Sequence, residues 1–351
     1  MSRVGLSKNN PEVLSEITII IFSRNRPREL MRSIKYWNAL DISCLVLDNS
    51  EHKLEINPAA TSVKYFYCPN QNFSQRSLIA SEHIETKYSI ICSDDERYLK
   101  SSLEFMVEEM NNSPELESIG AHAVAVGTYG PIKYGNFVYS QMLNYENVAS
   151  NLLERLENHF DLEITEWPIG AMYRVVRSRT LIRLLLLFYK CDNISTPYVY
   201  EVTSELFITG AGNSKYINDV FWVRNWATPA ISKSDWDRKL TFSEWWENEK
   251  FLHERKKWIV SLEQGILSTM SKIEMEEILD RIAKKRKSTD HFAKKSSNFL
   301  IKNEFLKYYI KRIFAPRLLP KNIKSVLLEI QNQGLHINIG EIEYAISDIF
   351  E

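Results

Sequence analysis

Three adjacent carboxylates, those of Asp94, Asp95 and Glu96, lie in the stretch CSDDERYL, directly after the short apolar run YSIIC (88–92). This run has the length and apolarity of a buried strand, so the carboxylates fall where a strand ends. Neighbouring negative charges repel each other more strongly as water is excluded, so a compensating positive charge is expected there. Hard cations such as Mg²⁺ or Mn²⁺ prefer oxygen ligands, typically carboxylates together with phosphate oxygens. The cluster therefore indicates a site for a divalent cation and a phosphorylated ligand.

Polar residues also end two apolar runs earlier in the chain. ITIIIFS (17–23) leads into a turn with two arginines, and SCLVLD (43–48) ends in a carboxylate. Continuous apolar runs of this kind are typical of parallel strands that are buried on both faces. Ligands of open α/β sheets bind beyond the carboxyl ends of such strands. The residues predicted to share one site at these ends are Ser23, Arg24, Arg26, Asp48, Asp94 and Asp95.

The first half of the chain alternates strand-like and helix-like segments. RPRELMRSIKYWNAL spaces its apolar residues at helical intervals, with Pro27 near its first turn, and similar segments begin near residues 74 and 101. Further strands are predicted at 63–70 and 118–126. Strands and helices that alternate with short connections predict an α/β fold, in which helices flank a mixed, mostly parallel sheet.

Residues 127–232 are less regular and rich in Tyr, Trp and Gly. Aromatic loops beside a polar crevice suit the apolar faces of sugars or bases, and the same residues are equally suited to filling a core. After about residue 233 the chain has the pattern of helices. We therefore predict a catalytic domain at 1–232 and a helical, partly basic C-terminal region at 233–351.

The charge of the chain is unevenly distributed. The net charge is only −1, and this argues against a nucleic-acid partner, but residues 281–325 carry 14 Lys and Arg against Asp290 and Glu304, a local charge of +12. Within this region, NFLIKNEFLKYYIKRIFAPRLL interleaves aromatic and basic residues. This pattern predicts either a helix on an anionic membrane surface or a helix that packs on the catalytic domain or on a second copy of the chain.

The four cysteines (Cys44, Cys68, Cys92 and Cys191) are widely spaced and form no CxxC pair. We expect buried free thiols in a reducing compartment. No apolar segment is long enough for a transmembrane helix, and the first residues, MSRVGLSKNN, have no apolar signal region. The sequence therefore predicts a cytoplasmic protein, either free or bound peripherally at the inner face of the cytoplasmic membrane.

Several common enzyme classes lack their motifs in this sequence. There is no GxGxxG, P-loop, GxSxG or HExxH motif, and the seven His are scattered. These absences argue against dinucleotide-dependent dehydrogenases, P-loop kinases, serine hydrolases and zinc enzymes. The carboxylate cluster and the strand ends around it remain as the candidate site.

Three segments in order, ITIIIFSRNRPREL, SCLVLDNS and SIICSDDERYL, resemble the nucleotide-binding half of GT-A fold glycosyltransferases, most closely the family-2-like enzymes of bacterial surface polysaccharide synthesis. In that family the second strand ends in an Asp that contacts the base, and Asp48 matches it. The fourth ends in an Asp-x-Asp motif that binds nucleoside diphosphate and a metal, Mn²⁺ or Mg²⁺. Asp95 matches the last Asp of this motif and Ser93 stands in the place of the first. Asp94 or Glu96 would supply the carboxylate missing there, and Asp94 is taken as the second metal ligand.

The resemblance also implies roles for residues outside the motif. Asn72 and Arg76 match a segment that contacts the donor. Arg24 and Arg26, at the exit of the first strand, either contact phosphate or are exposed turn residues. In the looser part of the resemblance, YEVTSELFITGAGNSKYI is similar to the helix that carries the catalytic base of inverting members. Glu201 and Glu205, one helical turn apart, are the candidates, and the spacing to the following Gly and Lys favours Glu205.

The function implied by the resemblance is transfer of a sugar from a nucleotide-activated donor to a hydroxyl of a glycan or lipid-linked glycan, with a divalent metal and inversion, in surface polysaccharide (LPS or capsule) biosynthesis. A nucleotidyltransferase is less favoured, because FSRNRPREL has no Gly-rich phosphate loop. Because Ser93 replaces an Asp and the family's Glu-Asp pair is absent, the alternative is a degenerate, non-catalytic scaffold that binds nucleotide sugar or glycan.

Overall fold

The computed structural model describes residues 11–56, 62–129, 132–138, 142–160, 170–192, 194–225, 240–265, 268, 270–297 and 321–350. Its strands are β1 Ile17–Ser23, β2 Ser43–Asp48, β3 Val63–Tyr67, β4 Tyr88–Cys92, β5 Arg97–Tyr98, β6 Leu116–Tyr129, β7 Ile132–Val138, β8 Glu146–Asn147, β9 Val175–Arg177, β10 Asn213–Asn225 and β11 Lys321–Asn322. Its helices are α1 Pro11–Leu14, α2 Pro27–Ala39, α3 Phe73–His83, α4 Lys100–Asn112, α5 Leu152–Phe160, α6 Ser178–Lys190, α7 Tyr198–Ala211, α8 Phe242–Glu247, α9 Leu252–Glu263, α10 Lys272–Ser297, α11 Ile323–Asn332 and α12 Ile339–Phe350.

The described strands form one mixed sheet in the order β11-β7-β6-β9-β4-β1-β2-β3, with β10 beside β6. The four strands β4, β1, β2 and β3 run parallel to each other, and β9 joins this group antiparallel to β4. Helices cover the sheet and further helices follow it in the chain. The predicted fold class, an α/β sheet with flanking helices and a helical C-terminal region, is confirmed.

The register of the parallel strands brings their polar ends to one edge of the sheet. Ser23, the last residue of β1, pairs with Asp48, the last residue of β2. On the other side of β1, Ile21 pairs with Cys92, the last residue of β4. The turns that follow β1, β2 and β4 therefore start next to each other, as the sequence predicted.

Strand β1 is buried on both faces, which explains its uninterrupted apolar run. Because side chains alternate between the faces of a strand, Ile19 and Ile21 pack in a core with Trp37 of α2, whereas Ile20 packs in a second core with Leu184 of α6. The sheet thus separates two apolar layers, and β1 cannot shift without disturbing both. All four cysteines are buried free thiols, as predicted.

Helices on the C-terminal side of residue 240 share the cores of the sheet. Trp245 and Trp258 belong to the same apolar cluster as Leu206 of α7, and the Trp258 indole donates a hydrogen bond to Thr203 Oγ1 at 2.9 Å. The domain boundary predicted at 232/233 lies outside the described residues. The stretch NFLIKNEFLKYYIKRIFAPRLL (298–319) lies entirely outside them as well, and its predicted membrane contact stays a prediction. None of the described helices combines the length and apolarity needed to cross a membrane.

The last helix, α12, is tied to the turn that carries the carboxylate cluster. Arg97 is only 1% exposed, and its Nε donates to Asp348 Oδ2 at 2.8 Å. The Arg97 Nη1 group donates to the carbonyl oxygens of Glu96 at 2.8 Å and Asp94 at 3.4 Å. A buried guanidinium needs a charged partner and several acceptors. Asp348 therefore orients Arg97, and Arg97 in turn holds the backbone of the acidic turn.

We expect Asp348→Asn to lower the free energy of unfolding by about 1–3 kcal/mol, because the buried Arg97 then retains only neutral acceptors. The matched control is Glu343→Gln, which removes a charge from an exposed position on the same helix and should change stability by less than about 0.5 kcal/mol. Denaturant unfolding followed by circular dichroism measures both variants. Equal effects would show that Arg97 does not depend on Asp348.

Candidate functional site

The edge where β1, β2 and β4 end carries a cluster of paired charges. Ser23 Oγ donates to Asp94 Oδ2 at 2.6 Å, and Arg26 Nη1 donates to Asp94 Oδ1 at 2.7 Å. The second amino group of Arg26, Nη2, donates to Asp95 Oδ2. The side chains of Arg26, Asp94 and Asp95 are 15%, 4% and 12% exposed. One guanidinium thus bridges the two aspartates that the sequence singled out.

The third carboxylate of the cluster has a cation of its own. Arg224 Nε donates to Glu96 Oε1 at 2.9 Å, and the Arg224 guanidinium lies 4.6 Å from the centre of the Trp222 ring. This pair arises because β5 and β10 are antiparallel neighbours, with Arg97 opposite Val223. No sequence pattern places residues 128 positions apart next to each other; only the pairing of the two strands does so.

Burial changes the proton affinity of the cluster. The pKa of Asp94 is raised to about 6, chiefly by burial, while Arg26 acts in the opposite direction. The pKa of Glu96 is raised to about 7, again chiefly by burial, while Arg224 opposes the shift. Loss of water around a carboxylate disfavours its charged form. Arg26 and Arg224 therefore favour the charged forms of Asp94 and Glu96, which burial disfavours.

Arg76 holds the ends of β1 and β2 together. Its Nη1 group donates to the carbonyl oxygens of Ser23 and Leu47, both at 2.9 Å. The side chain is 7% exposed, and burial lowers its pKa to about 10. The structure thus brings Arg76 to the predicted site but uses at least one of its amino groups to fix the two strand ends.

The structure places Asp48 at the same edge, where its carboxylate is 1% exposed. Its Oδ1 accepts from the Ser50 backbone N–H at 3.0 Å and its Oδ2 accepts from the Tyr65 hydroxyl at 2.7 Å. Asp48 therefore orders the chain after β2 in this state. A contact between its carboxylate and a nucleobase stays a prediction.

Arg24 and Asn72, also predicted to contact the donor, are exposed. Asn72 begins α3: its side chain accepts from the Gln75 backbone N–H at 2.9 Å and its Nδ2 donates to Asp192 at 2.7 Å. Arg24 directly follows Ser23, whose Oγ donates to the same Asp94 carboxylate as Arg26. Asn72 thus has a clear role in capping the helix, which accounts for its position without a ligand.

Glu205, the base that the sequence favoured, is enclosed in the protein. It is 1% exposed, and its Oε1 accepts from the backbone N–H groups of Gly170 at 2.8 Å and Ala171 at 2.9 Å. Its Oε2 lies 2.9 Å from His159 Nε2 and 3.9 Å from Arg174 Nη2. Burial raises the pKa of Glu205, but the His159 and Arg174 contacts and the backbone donor outweigh it and the net shift is downward. Glu205 therefore holds His159 and the backbone of Gly170 and Ala171 in place.

Glu201 lies in the first turn of α7 and is half-buried. It is close enough to Tyr173 to influence it: the pKa of Tyr173 is raised by burial first, and then by the charges of Glu96 and Glu201. The Tyr173 ring lies 4.4 Å from the Trp222 ring, centre to centre, with the two planes tilted by 37°. The pKa of Tyr173 thus responds to carboxylates of both α7 and the acidic turn. No sequence pattern marks Tyr173, because its neighbours come from the acidic turn, α7 and β10.

The carboxylates do not fit the expected Mn²⁺ or Mg²⁺ ion as they are arranged here. Both oxygens of Asp94 accept hydrogen bonds, one Asp95 oxygen is paired with Arg26, and Glu96 is paired with Arg224. Within the described residues, no group of three or more His, Cys, Asp or Glu side chains is placed to hold a metal ion. A magnesium-type ion needs several oxygen ligands in near-octahedral geometry. We therefore derive no step through a metal.

We expect the free energy of unfolding of the wild type, relative to that of Glu96→Gln, to fall as the pH rises from about 5 to about 7. A carboxyl whose pKa is raised on folding binds its proton more tightly in the folded state, so its contribution falls as the pH rises through the folded pKa. Burial raises the pKa of Glu96 to about 7, which sets the upper limit of this window. Urea unfolding across this range measures the difference, with Glu343→Gln as control. A difference that grows with pH would contradict the assignment.

No protein-family model matches the sequence, and no curated protein matches it. Among solved structures, S. aureus TarS 1–349 in complex with UDP-GlcNAc is 9% identical, covers 75% of this chain and 70% of its own, and has a TM-score of 0.46. TarS 1–349 alone is 10% identical, covers 74% of this chain and 73% of the TarS chain, and has a TM-score of 0.40. CMP:2-keto-3-deoxy-manno-octonic acid synthetase complexed with CTP is 14% identical, covers 63% of this chain and 95% of the synthetase chain, and has a TM-score of 0.31. These likenesses concern the fold, and the functional proposal rests on the strand-end residues.

Proposed function

We propose that this chain is a glycosyltransferase that moves a sugar from a nucleotide-activated donor to a hydroxyl of a glycan acceptor. The observation that supports this most strongly is the meeting of Arg26, Asp94 and Asp95 at the carboxyl edge of the parallel strands. Ligands of open α/β sheets bind at this edge. The diphosphate would lie over the turn after β1, where Arg24 is exposed and Arg26 offers further N–H groups.

The transfer is a displacement at the anomeric carbon of the donor sugar. The acceptor oxygen forms the new bond to this carbon while the bond to the diphosphate oxygen breaks, and the diphosphate leaves with the electron pair. The acceptor hydroxyl proton passes to a carboxylate. Fixed positive groups beside the leaving diphosphate stabilise the charge that develops on it. A base opposite the leaving group gives inversion, the stereochemistry that the resemblance implies.

We assign the role of base to Glu201 rather than to Glu205. A base must reach the acceptor hydroxyl directly, and Glu205 is 1% exposed, with four neighbouring donors around its two oxygens. Glu201 is half-buried, and its charge raises the pKa of Tyr173, as does the charge of Glu96 in the acidic turn. It is therefore the carboxylate of α7 that a bound acceptor can approach.

The finer parts of the proposal come from the resemblance and the charge pattern. They are a role in surface polysaccharide synthesis, a glycan or lipid-linked glycan acceptor, and contact of the basic stretch at 281–325 with an anionic membrane surface or a second copy of the chain. A non-catalytic nucleotide-sugar or glycan-binding scaffold is the alternative, favoured by the paired state of all three carboxylates and by Ser93. Ligand binding without turnover would identify it.

We expect one member of a panel of nucleotide sugars and nucleoside diphosphates, UDP-GlcNAc and UDP among them, to stabilise the protein against thermal unfolding. A ligand that binds only the folded state adds about 2.7 kcal/mol at a hundredfold excess over its Kd. Asp95→Ala should reduce this shift, because it releases one arm of Arg26. The exposed Glu82→Ala on α3 is the matched control. If no nucleotide raises the unfolding temperature, the edge is not a diphosphate site.

We expect Glu201→Gln to lower kcat about 10²–10⁴-fold, the usual contribution of a general base, and to leave donor affinity unchanged. Glu205→Gln should instead lower the free energy of unfolding by about 3–5 kcal/mol, because it leaves the fully buried Arg174 without its charged neighbour. Transfer assays and denaturant unfolding on both variants separate the two roles. A stable but inactive Glu205→Gln beside an active Glu201→Gln would reverse the assignment.

A further inference from the structure

Arg26 is held in place before any ligand arrives. The chain turns at Asn25, whose φ of 54° lies in the left-handed region. The Asn25 backbone N–H donates to Ser50 Oγ at 2.7 Å, and its Oδ1 accepts from the Glu51 backbone N–H at 2.9 Å. Pro27 then fixes the first helical position of α2. The backbone on both sides of Arg26 is thus constrained, and the side chain is directed at the end of β4.

The positive charge of Arg26 is stable at this position. Burial alone lowers the pKa of Arg26, but the charges of Asp94 and Asp95 outweigh burial and raise it. The fork of the guanidinium matches two acceptors at once, which a single ammonium group cannot do. A divalent ion that entered between the two aspartates would have to displace this fork and then lie beside a repelled cation.

The residues around Arg26 leave it able to contact a ligand. Two of its five N–H groups donate to the aspartates, and the side chain is 15% exposed. Arg24 is exposed two residues earlier. Arg224 pairs with Glu96 on the other side of the acidic turn. Guanidiniums thus flank the turn on both sides, at the positions where a phosphorylated ligand would need positive partners.

We propose that Arg26 is the resident cation of this site and that the chain binds its nucleoside diphosphate donor, and transfers from it, without a divalent metal. This inference rests on the proposed function and deepens it. Arg26 contacts the leaving diphosphate and stabilises the charge on it through N–H groups that the aspartates orient. Asp94 and Asp95 are therefore the positioning residues for a guanidinium.

The test compares metal-free and metal-loaded protein. The nucleotide that stabilises wild type in the panel described above is titrated calorimetrically in EDTA and in Mn²⁺. We expect affinities within about twofold of each other in the two buffers. Arg26→Gln should weaken binding at least tenfold in EDTA, and Arg26→Lys should give an intermediate loss, because it keeps the charge but not the fork. Arg28→Gln, at an exposed arginine in the first turn of α2, is the matched control and should bind as wild type.

A second readout uses Mn²⁺ alone. Wild type should show no change in unfolding temperature on addition of Mn²⁺, whereas Arg26→Gln, in which Asp94 and Asp95 lose their cation, should be stabilised by it. Nucleotide binding by wild type that disappears in EDTA and returns with Mn²⁺ overturns the inference and leaves the proposed function intact, and this arm needs no variant to fold. Full affinity of Arg26→Gln in EDTA also overturns it. Absence of binding by any nucleotide in both buffers overturns the proposed function and this inference with it.

Discussion

Three carboxylates in succession at the end of a buried strand must each meet a positive group, and this constraint shapes the site. Asp94 and Asp95 meet the guanidinium of Arg26, which comes from the turn after β1, and Glu96 meets Arg224, which comes from β10. Both partners depend on the sheet, because only its strand order places these turns side by side. The fold and the site therefore depend on each other, because the sheet that buries the carboxylates also brings the two arginines that offset the cost of burying them.

Arginines that hold backbone carbonyl groups extend this arrangement behind the site. Arg76 joins the ends of β1 and β2, and Arg97 joins the acidic turn to Asp348 of the last helix. A guanidinium can satisfy several acceptors in a fixed plane, so a single side chain ties together segments far apart in sequence. Asp348 lies 251 residues after Arg97, and through this ion pair the C-terminal helix supports the site.

The sequence predicted the elements well because the apolar runs of β1, β2 and β4 and the helical spacing of α2 are local signals. Their polar ends also followed, since parallel strands end at one edge. The partners of the polar side chains were not predictable: Arg26 and Asp94 are 68 residues apart, and pairing at that distance depends on strand order. Helical spacing placed Glu201 and Glu205 on one face, but α7 is apolar around most of its surface. Periodicity therefore gave no sign that Glu205 would be enclosed.

A guanidinium fixed by two carboxylates differs from a bound metal in what it offers a diphosphate. The two aspartates more than cancel the charge of Arg26, so the three side chains together offer a diphosphate no net attraction at a distance, where screening by salt already weakens such forces. What Arg26 retains is direction: N–H groups held in one plane and one orientation before the ligand binds. Donors that are already oriented need no rearrangement as charge develops on the leaving group. In the proposed site, long-range attraction would come from exposed groups such as Arg24, and the paired guanidinium would select for the geometry of a phosphate at the reacting bond.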